Sequence, residues 1–130
     1  MVLGLLGISP VTTSVFAATS NVVSAVYFGA LPGGRAMVKW GGFSNAGIVI
    51  TGMYFGKDDP FVQHALVAIA CSSMGAVMGL HAVRIAGTTA ADHVLHTRIA
   101  AGGFGVLALD QYAAAYIRRP APVGYGYSGY

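Results

Sequence analysis

Apolar residues fall in four long runs separated by short polar or turn-rich breaks. The first runs over 11–31, preceded by Pro10 and closed by Pro32-Gly33-Gly34. At about 21 residues it is long enough to cross a ~30 Å hydrocarbon core as a helix. The second, over 40–56, is diluted by Gly41-Gly42 and Ser44-Asn45, and Lys39 can snorkel to lengthen it at that end. Lys57-Asp58-Asp59-Pro60 is a turn: Pro60 suits the first position of a helix and Asp59 its cap. The third run covers 61–83, and the fourth covers 99–117 and stops at Arg118-Arg119-Pro120.

Between the last two runs, Thr89 and Asp92 are spaced as a capping pair, with Ala90, Ala91, Val94 and Leu95 on one face. The stretch is expected as a short interfacial helix or as an extension of the fourth helix. The reading is an all-α integral membrane protein: four transmembrane helices in two hairpins over 1–120, then an ordered Gly/Tyr-rich tail over 121–130. Aromatic residues fit two interfacial belts. Tyr27, Phe28 and Trp40 share one side; Tyr54, Phe55, Phe61 and Tyr116 share the other.

Composition strengthens the membrane reading. Charged residues make up 8% of the 130 positions and Glu is absent. A soluble domain carries roughly 25%. The 19 glycines suit close helix contacts in lipid. Net charge is +3, with no basic cluster beyond Arg118-Arg119, which excludes nucleic acid as a partner. Arg35, Lys39, Arg84 and Arg98 against Lys57, Arg118 and Arg119 leave orientation unset. The opening MVLGLLGISP lacks a basic n-region and is not an Arg-rich amphipathic presequence, so any organellar address is expected to be internal. A single cysteine, Cys71, rules out an internal disulfide framework.

Candidate chemistry is sparse. Asp110 is a carboxylate inside the fourth run, where such groups are costly and often functional. A structural role is expected, paired with a Lys or Arg of a neighbouring helix or reaching the interface beside Gln111 and Tyr112. His64 and His81 bracket the third run about 25 Å apart, too far to share a ligand, and are expected at the interfaces. The other runs hold no histidine to complete a haem site. Asp92-His93 with His96 has metal-ligand spacing but no third ligand, so a solvated loop is expected. No nucleophile meets a base, so the chain is expected to be no enzyme, without catalytic residues, metal or cofactor; bound phospholipid is compatible. Helix packing is expected at Gly52 and Gly56, and at Gly75 and Gly79, two small-xxx-small pairs. Tyr125, Tyr127 and Tyr130 are expected as partner-binding anchors.

The Lys57-Asp58-Asp59-Pro60 turn leads into a helix bearing Gly75 and Gly79, and Thr12-Thr13-Ser14 opens the first helix. This resembles the four-helix proteins related to the mitochondrial inner-membrane preprotein translocase channels, a group with an accessory subunit of respiratory complex I. The resemblance covers about half the chain. It implies a packing role at the mitochondrial inner membrane and transfers no catalytic residue. The expected function is a non-catalytic accessory subunit of a respiratory complex, complex I first, bound to other membrane subunits and lipids. The alternatives are a subunit of ATP synthase or another respiratory complex, or a small transporter or translocase component using Asp110 and Asn21.

Overall fold

The computed structural model describes residues 9–31, 36–88 and 90–120. They form four helices and, among the described residues, no strand: α1 Pro10–Ala30, α2 Ala36–Phe55, α3 Pro60–Ile85 and α4 Ala91–Ile117. Helices α1 and α3 are long and apolar enough to cross a bilayer.

Local chemistry sets most of the ends. Ser9 caps α1 by accepting from the Thr12 N–H at 3.2 Å, with Pro10 next in the chain. Asp59 caps α3 in the same way, accepting from the Phe61 and Val62 N–H groups at 3.1 and 3.4 Å ahead of Pro60. Gln63 completes this turn from inside: its amide donates to the Gly56 and Lys57 carbonyls at 2.7 and 3.0 Å, and the Gly56 carbonyl also accepts the Asp59 N–H at 2.9 Å. Beyond α3, Gly87 takes a φ of +78°, a left-handed conformation that glycine adopts without steric penalty, and the chain reverses into α4.

The segment after Arg84 is therefore a turn over 86–88 followed by an extended α4, rather than a separate helix. Asp92, His93 and His96 belong to the first turns of α4 and not to a loop. The expected cap pair rests on Thr89, which lies outside the described residues, as does the tail with Tyr125, Tyr127 and Tyr130.

Helix α4 packs chiefly along α3, α2 along α1 and α3, and α1 along α3 over a shorter seam. The α1–α2 crossing is close because Gly42 faces it: a Cβ there would stand 2.5 Å from Ala25 Cβ and 2.6 Å from the Asn21 carbonyl oxygen. The core joins Val38 and Val49 of α2, Val67, Met74 and Met78 of α3, and Phe104 and Ala108 of α4.

Candidate functional site

Polar side chains lie inside this bundle. Thr13, Ser14 and Asn21 of α1, Asn45 of α2, Gln63, His64 and His81 of α3, and Thr97, Asp110 and Gln111 of α4 are all buried. Large apolar side chains lie outside on every helix, among them Phe16, Trp40, Ile50, Tyr54, Val83 and Val106. Along α4 the inversion is sharpest between neighbours: Leu109 is 72% exposed and Asp110 6%.

Three of the buried groups form a chain across the α3–α4 seam. The Gln111 amide nitrogen donates to Asp110 Oδ2 at 2.9 Å. That commits its Oε1 to His64, whose Nδ1 donates to it at 2.6 Å. His64 Nε2 is buried and has no hydrogen-bond partner among the described residues. A carboxamide joins the imidazole to the carboxylate but is itself neither an acid nor a base in the working range, so the chain fastens two helices better than it passes protons. Nearby, Ser72 Oγ meets the Tyr112 hydroxyl at 3.2 Å across the same seam.

His64 and His81, near the two ends of α3, are both buried within the bundle. The helix register explains this: both lie on the side of α3 that carries Val67, Met74 and Met78 into the core. Asp110 accepts from its own neighbour Gln111, a partner that sequence reasoning did not name. Gln111 is itself fully buried. An amide next to an acid inside an apolar run was the available signal.

Among the small residues, Gly52 faces Leu66 of α3, and Gly56 faces Val62 across the turn. Gly75 lies against the backbone of α4, where a Cβ would stand 3.5 Å from the Ala101 oxygen and the Gly105 nitrogen. Gly79 faces open space. Asn21 donates to the Ala17 carbonyl at 2.8 Å. Asp92 accepts from the His93 N–H at 3.0 Å, and no group of three metal-ligating side chains gathers among the described residues.

A second feature lies on the side of the bundle. Where α1 and α4 both lean on α3, an open groove of about 240 Å3 separates them. Phe16, Ser20 and Ser24 form one wall, and Gly103, Phe104 and Leu107 the other. No family model, curated protein or solved structure matches the chain.

Proposed function

We propose that the chain is a multi-pass membrane subunit without catalytic activity, whose work is to pack between larger membrane proteins and hold lipid. The observation that carries this reading is the inversion at Leu109 and Asp110, repeated around the bundle: apolar side chains point outward and amides, imidazoles and a carboxylate point inward. Water as solvent favours the opposite arrangement. In lipid, the buried polar groups become fastenings between helices and the outer surface becomes the natural one. All four helices would then cross, with exposed Trp40 at one interface and Tyr54 and Tyr116 at the other.

The choice of host comes from the resemblance of the Lys57–Pro60 turn and the glycine-bearing third helix. On that basis the chain is an accessory subunit of a respiratory complex of the mitochondrial inner membrane, complex I first. A carrier role for Asp110 has less support, because Gln111 already holds its carboxylate.

The test is alkaline extraction of membranes followed by native electrophoresis in mild detergent and mass spectrometry of the band. The chain should stay in the membrane pellet and run with a large complex containing respiratory subunits. Release into the alkaline supernatant refutes the membrane reading. Migration alone at monomer size refutes the subunit reading, and a band of other proteins refutes the respiratory host.

A further inference from the structure

We draw no further inference here: the strongest candidate, the cluster of buried polar atoms at the end of the bundle where α1 and α3 begin (Ser14 Oγ, Gln63 Oε1 and His64 Nε2, each without a hydrogen-bond partner among the described residues), belongs to the α3–α4 seam and the α2–α3 turn already described, and nothing in the structure shows what ligand those atoms would hold.

Discussion

His64 and Gln111, 47 positions apart in the chain, meet at 2.6 Å inside the α3–α4 seam. Leucine at position 111 keeps the volume but removes the acceptor for His64 Nδ1 and the donor for Asp110 Oδ2. Leaving the buried His64 Nδ1 without its acceptor is expected to cost about 1–3 kcal/mol. His64→Leu alone should cost a similar amount, and the double variant less than the sum, because the two changes remove one shared bond. Unfolding of the four proteins in mixed micelles by titrated SDS gives the cycle. Strict additivity would show that the bond contributes nothing.

Gly42 and Gly79 look alike in sequence and stand in opposite surroundings. Gly42→Ala drives a methyl into Ala25 and the Asn21 carbonyl, so α1 and α2 must separate. Overpacking of this kind is expected to destabilise by about 1–3 kcal/mol. Gly79→Ala meets open space and gains helix propensity, for an effect between neutral and about 1 kcal/mol of stabilisation. The same SDS titration ranks them, and a Gly42→Ala protein as stable as Gly79→Ala would place the close crossing elsewhere.

These pairs mark where the sequence is readable. Helix ends follow from contacts within a few residues, so Ser9 with Pro10 and Asp59 with Pro60 announce α1 and α3 directly. The tertiary partners do not follow. That His64 finds Gln111, and that Gly42 rather than Gly79 lies at a crossing, depends on how neighbouring helices are rotated and staggered. In a chain apolar nearly all round, periodicity marks that rotation only weakly. The buried amides were the better guide to it: Asn21, Asn45, Gln63 and Gln111 all point inward.

The α2–α3 turn is held from both sides, and the two halves should separate by size. Asp59→Ala removes an exposed N-cap and is expected to cost about 1 kcal/mol. Gln63→Ala leaves the Gly56 carbonyl with the Asp59 N–H alone, takes the Gln63 donor from the Lys57 carbonyl and opens a void in a buried site, for about 1–3 kcal/mol. Hydrogen exchange of the α3 N-terminal amides should quicken in the first variant, and protease sensitivity between Gly56 and Pro60 should rise most in the second. The reverse order would mean that the turn is held chiefly by its exposed cap.

Cys71 reports on the seam without any substitution. Its side chain is fully buried among the core residues of α3 and α4. In the folded protein a maleimide reaches the thiol only when the helices part, so labelling should be slow in mild detergent and rapid in SDS. A cysteine introduced at Leu109 in a Cys71→Ala background lies on the outer face and should be open to a lipid-soluble maleimide in the folded state. Membrane-impermeant reagents should label neither position in intact vesicles if α3 and α4 cross the bilayer. Rapid labelling of Cys71 in mild detergent would mean that α3 and α4 are not packed along this seam.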